Sequence, residues 1–178
     1  MVSSFLVVIA VAGTSRADTE GVQHARFNQQ AEELGLTATQ AQSLQSRVNS
    51  YLKQVGGSQV AVNKIRVDDQ GSFILLALPG EKKARDISSS TAAGYNCPYK
   101  YFCAYQSVSY DGDVKAWTSC IDQSMPWSGY GSWVNNQTPG TVAQFKSGPD
   151  GVTRWRDSGA FSADDSADWT WVWWVKPC

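Results

Sequence analysis

Three sets of residues in this 178-residue chain have the side chains and spacing for chemistry or binding: four cysteines, an acidic cluster and a row of tryptophans. The cysteines, Cys97, Cys103, Cys120 and Cys178, are even in number and lack the paired short spacings of a zinc site. They therefore read as two disulfides, whose pairing the sequence leaves open among three connectivities. Asp164, Asp165 and Asp168 bring three carboxylates together near the end of the chain. Paired carboxylates serve glycoside hydrolysis, and the same oxygens make a weak calcium site, but a polar acidic turn explains them more simply. Trp169, Trp171 and Trp173 alternate along the last apolar segment and, with Trp155, form a row that stacks on sugar rings if it is exposed. His24, the only histidine, lies among polar residues far from any of these groups, a poor position for a Ser-His-Asp or Cys-His centre. The expectation is a non-enzyme with no cofactor and no firmly held metal.

The stretch that must position most of these groups is 97–120, which holds three of the cysteines. Within it Tyr101, Cys103 and Tyr105 share one face of a strand and Phe102 and Ala104 the other. Tyr105, four spacers, Tyr110, one spacer and Gly112 are spaced to fold a hairpin back on itself, with the second ring on the folded loop and glycine at its strained turn. An ordinary hairpin with a tyrosine-rich strand is the equally weighted alternative.

Composition narrows the classes. The net charge is −1 and only 17% of residues are charged, with no basic block. Nucleic acid and an anionic membrane are therefore poor partners. Eight Trp, seven Tyr and six Phe lie mostly after residue 94, a region with all four cysteines and no Glu. Residues 1–17 read as an export signal: the apolar run 5–12 is too short to span a bilayer, and cleavage is expected after Ala17. A secreted, monomeric protein is the expectation.

Residues 18–86 read as a small α+β unit, either a propeptide or an accessory module. Phe27, Ala31 and Leu34 mark one helical face. Thr37 and Gln40 have capping-box spacing before a second helix that ends at Gly56 and Gly57. Strands over 58–67 and 72–78, with Asp68 to Gly71 as the turn, complete a helix-plus-hairpin unit. The basic run Lys82, Lys83 and Arg85 is a solvated charge run or a protease-accessible site, and 87–94 is a polar linker.

From residue 95 onward, short apolar pieces alternate with turn signals, with strands expected over 142–145, 152–155 and 169–175. That pattern suggests an antiparallel Greek-key sandwich. The motif Cys97-Pro98, Tyr101 to Tyr105, Tyr110 and Gly112, then Cys120 and the run Ser132 to Thr138, resembles the secreted actinobacterial peptidase-inhibitor family typified by metalloproteinase inhibitors. Members of that family resemble a single βγ-crystallin domain. The resemblance covers 95–178 and implies an all-β, disulfide-bonded Greek-key sandwich as the inhibitory part; with the helix-plus-hairpin unit before it, the expected chain is α+β overall. It implies an extracellular protease, a metalloprotease first, as partner. Cys120, Ile121 and Asp122 are the candidate inhibitory loop, since a bridge would tether one end, with a plain connecting loop as the equally weighted alternative. The second crystallin-like repeat is degenerate, because Phe145 is followed by Asp150 and Gly151 without a second aromatic. A carbohydrate or cell-wall binding module using the tryptophan row is the alternative. A protective protein without activity and a hydrolase using the Asp cluster stay open behind it.

Overall fold

Local chemistry sets the helices. In the computed structural model, which describes residues 16–87 and 96–178 (16–20 by backbone alone), α1 spans Arg16–Glu33 and α2 spans Ala38–Val55. Thr37 caps α2 with the full capping box: Gln40 N–H donates to Thr37 Oγ1, and the Gln40 side chain accepts from Thr37 N–H at 2.9 Å. Gly56, at φ 75°, ends it. Phe27 and Ala31 of α1 and Leu44, Val48 and Tyr51 of α2 are the buried positions, at helical spacing. Most of the expected leader and the expected linker fall outside the described residues.

The segment expected as one strand over 58–67 is a tight hairpin, β1 (Ser58–Ala61) and β2 (Lys64–Arg66), followed by β3 (Phe73–Leu75). The apolar pattern carries the mark of the break, since Val60 and Val62 are even and Ile65 and Val67 odd, so a single strand would put them on opposite faces. Asn63 occupies the turn, fully buried, its amide donating to Leu76 O and Arg85 O. The helix-plus-hairpin expectation thus becomes two helices on a three-stranded meander.

Eight further strands follow: β4 (Tyr101–Tyr105), β5 (Val114–Trp117), β6 (Gln123–Ser124), β7 (Tyr130–Asn136), β8 (Gln144–Ser147), β9 (Val152–Arg156), β10 (Ser162–Asp168) and β11 (Trp174–Lys176). They and the meander make two antiparallel sheets, one in the order β1-β2-β3-β5-β4-β7-β10 and one in the order β6-β11-β8-β9. The chain is α+β and mostly β. The runs β4–β7 and β8–β11 each keep three strands in one sheet and send the third to the edge of the other.

The compositional boundary near residue 94 is crossed by the larger sheet. Phe73, Ile74 and Leu75 of β3 pair with Ala116, Lys115 and Val114 of β5. One core runs through both halves, joining Phe27, Leu44, Val48 and Ile74 to Phe102, Trp117, Trp133 and Phe145. The helices and the smaller sheet therefore cover the same face of the larger sheet, side by side. On the opposite face Cys103, Tyr105, Val114 and Ala116 form a second cluster with Leu75 and Ala84. The pleat of β4 divides its residues between the two cores as its alternation requires.

Two expected elements take other forms. The acidic cluster is an edge strand, β10, rather than a turn, paired to β7 with a bulge between Asp164 and Ala167. Its sequence is poor in strand formers, and cross-strand pairing to β7 outweighs propensity. The run expected as a strand over 169–175 turns at 170–171, with Val172 N–H donating to Trp169 O, and only Trp174–Lys176 is strand.

Candidate functional site

Both disulfides are formed, Cys97 with Cys103 and Cys120 with Cys178. The first ties the lead-in of β4 to its centre. The second ties the C-terminus to the loop between β5 and β6. That loop carries Ile121, 54% exposed, between two clamped neighbours. Asp122 receives the Lys146 ammonium of β8 at 2.6 and 2.8 Å. Gln123 is buried, and its amide donates to Asp68 Oδ2 at 2.9 Å and to Ser119 Oγ at 3.0 Å. Burial alone would push the Asp68 carboxyl up, but N–H and hydroxyl donors from Ser72, Gln70 and Gln123 bring it below the ordinary carboxylate range. Cys120, Ile121 and Asp122 thus form a short loop fixed at both ends with one aliphatic side chain in solvent.

The hairpin at Tyr105 folds back. Tyr110 lies edge-on to Tyr105 with centroids 5.5 Å apart, and Gly112 has φ 80° with Gln106 and Ser107 against its Cα. Ser132 of β7 holds the loop, accepting from Tyr110 N–H at 2.9 Å and donating to Ser107 O at 2.7 Å. The basic run is seated beside this hairpin: Gly112 N–H donates to Lys82 O, the Lys83 ammonium donates to Ser109 O at 2.8 Å, and Ala84 is buried. Arg85 pairs with Glu81. A protease would have to peel this segment from the sheet before cutting it, so it is not an open cleavage site.

The carboxylates and tryptophans do not assemble as their sequence order implies. Asp164 Oδ1 accepts from Ser166 N–H, and Asp168 Oδ1 accepts from Thr170 N–H and Oγ1–H, which lowers the Asp168 pKa. No group of three His, Cys, Asp or Glu among the described residues could hold a metal. Trp169 is 1% exposed while Trp173 is 53% exposed, so Trp169, Trp171 and Trp173 make no shared platform for a sugar chain. The turn at 170–171 breaks the alternation that would have aligned them. His24 is exposed on α1. No described helix is long and apolar enough to cross a membrane.

Two buried polar centres escape the motif reading. Asp113, 1% exposed, accepts from Tyr51 O–H at 2.7 Å and Ala77 N–H at 2.9 Å, and pairs with Arg47. Trp127 Nε1 donates in turn to Tyr51 at 2.7 Å. Burial, with the Asp113 charge, drives the Tyr51 phenol well above its ordinary range. Burial also raises Tyr105, to about 12. The second centre is Lys115 of β5, 1% exposed, which donates to Ser124 O at 2.8 Å and lies 5.0 Å from the Trp117 ring. Its position opposite Ala104 and Ile74 puts it on the covered face, where the helices give way to the smaller sheet. The signal for it was parity, since Lys115 and Trp117 must share a face.

Burial pulls the Lys115 amine from its ordinary 10.5 to about 7, against the opposing effect of Asp68. The unfolded chain then holds the proton more tightly than the folded one. Stability therefore rises with pH between about 7 and 10.5, at up to about 1.4 kcal/mol per unit. Above pH 10, Tyr51 and Tyr105 act in the reverse sense, because folding opposes their ionisation. Lys115→Met is expected to raise stability at pH 6–7 by about 1–4 kcal/mol and to flatten the rising limb. Urea unfolding at successive pH values measures both, and an unchanged slope in the variant refutes the assignment.

No protein-family model, curated protein or solved structure matches this chain.

Proposed function

We propose that the chain is exported and acts as a proteinaceous peptidase inhibitor, the loop of Cys120, Ile121 and Asp122 entering the cleft of an extracellular protease, a metalloprotease first. The observation that carries this reading is the clamping of that loop, with a disulfide on one side of Ile121 and the Asp122–Lys146 pair and buried Gln123 on the other. A segment whose freedom is already restricted in the free state loses little entropy on binding, so more of its contact energy appears as affinity. The exposed aliphatic side chain of Ile121 suits a hydrophobic specificity pocket. Disulfides accord with an oxidising compartment. We also read residues 95–178 as two interlocked Greek keys of βγ-crystallin type, supported by the exchange of third strands between the sheets.

The test uses the full oxidised chain, because β3 and β5 share a sheet and a fragment would lose that pairing. Titrated against a thermolysin-like metalloprotease and a subtilisin-like serine protease with short peptide substrates, the chain is expected to inhibit the metalloprotease stoichiometrically. Full activity of both enzymes in the presence of excess folded chain overturns the proposal.

A further inference from the structure

Between the edge strands β9 and β10 the two sheets part, leaving a cleft of about 140 Å³. Its walls are aromatic. Trp133 and Phe145 are 4% and 2% exposed, and Trp169 stacks on Phe145 with 9° between the ring planes. Trp155 stands edge-on to Phe145 at 4.8 Å and remains 44% exposed, so one side of the cleft is open. Trp171 closes it from the turn before β11, and Asp164 lines the rim, while Asp168, opposite Tyr130 in the ladder, turns its carboxylate to the other face. Asp164 lies opposite Trp133 in the β7–β10 ladder, which places both on the same face.

The rim carboxylate has no cationic partner. Asp164 uses Oδ1 for the Ser166 N–H donor, and no ion pair to Asp164 exists among the described residues. Arg156 turns to the opposite face from Trp155, whereas Arg154 sits in the β8–β9 bulge on the Phe145 face, its guanidinium donating to Ser147 Oγ at 2.9 Å rather than to a carboxylate.

We propose that this cleft binds a small quaternary ammonium ion of the choline type, its methyl groups against the Trp155, Trp133 and Trp171 rings and its charge answered by Asp164. Aromatic faces attract cations through the ring quadrupole, and walls of several rings are the recurring recognition device for a methylated ammonium. Size favours the same ligand. An apolar cavity of about 150 Å³ holds one benzene ring, whereas sites for larger organic ligands begin at about 300 Å³. The cleft therefore admits a trimethylammonium head and is too small for a sugar chain. It lies at the opposite edge of the smaller sheet from β6 and the Cys120 loop, so it is independent of the inhibitory reading.

The test titrates the full oxidised chain with choline chloride, tetramethylammonium chloride and the neutral isostere 3,3-dimethylbutan-1-ol at constant ionic strength, following tryptophan fluorescence and heat. Both cations are expected to bind saturably and the isostere about tenfold more weakly. Asp164→Asn is expected to weaken choline severalfold without changing the isostere. Trp155→Ala should abolish binding and Trp155→Phe retain most of it, with far-UV circular dichroism confirming the fold of each. Equal affinity for choline and the isostere, choline binding that ignores both Asp164→Asn and Trp155→Ala, or no saturable signal from the folded chain overturns the proposal.

Discussion

Asp113→Ala is expected to cost about 3–5 kcal/mol, the largest loss of any single substitution considered for this chain. Asp113 is the acceptor on which α2, the strand exit at Ala77 and the β5 lead-in converge. Removing its carboxylate strands the Tyr51 hydroxyl, the Ala77 amide and the Arg47 guanidinium together. Two of these are buried, and an unmade hydrogen bond there costs the full desolvation of the group. Trp127 then hydrogen-bonds to a hydroxyl that has lost its own acceptor. Because the network spans residues 47–127, the loss should appear as one cooperative transition moved to lower denaturant. Separate melting of the N-terminal half would show instead that the two halves fold independently. Asp113→Asn keeps the shape and part of the acceptor capacity, so it should lose less than Asp113→Ala. At about 2–4 °C per kcal/mol for a chain of this size, Asp113→Ala lowers Tm by roughly 10 °C.

The two disulfides should differ in worth by about twofold. Cys120–Cys178 closes 58 residues and Cys97–Cys103 closes six. On the chain-entropy account these correspond to about 4 and about 2 kcal/mol. Paired alanine substitutions compare them directly in urea, and alanine avoids placing a hydroxyl at the fully buried Cys103. The longer bridge also anchors the residues after β11, where Gln137 Nε2 donates to Pro177 O at 2.5 Å. Losing it should therefore loosen both the chain end and the Ile121 loop. Equal stability losses for the two pairs would contradict the entropic argument.

How much of this was legible depended on whether the governing contact was local. The α2 cap needed only Thr37 and Gln40, and the fold-back hairpin needed only Tyr105, Tyr110 and Gly112, so short spacing carried both. β10 was unreadable because Ser162–Asp168 becomes a strand through its pairing with β7, about 30 residues earlier in the chain. The tryptophan row failed for the converse reason: alternation over 169–173 imitates a strand, while turn bonds there send Trp169 inward and Trp173 outward. The composition shift near residue 94 is real, yet pairing between β3 and β5 crosses it. Asp113 and Lys115 each look like an ordinary surface charge in sequence, and only the layer packed over them makes them buried centres. The same layering makes a cleft of Trp133, Trp155 and Asp164, which no spacing rule would group.

The most direct test of the inhibitory loop compares the oxidised full chain with its Ile121→Asp variant as titrants of a thermolysin-like metalloprotease. Ile121 is exposed, so the substitution should leave stability within about 0.5 kcal/mol. The account predicts stoichiometric loss of protease activity with the parent chain and at least a hundredfold weaker inhibition by the variant, since a charge would enter a hydrophobic pocket unpaired. Equal inhibition by the two would remove the loop from the interface, and no inhibition by a folded parent chain would contradict the inhibitor assignment itself.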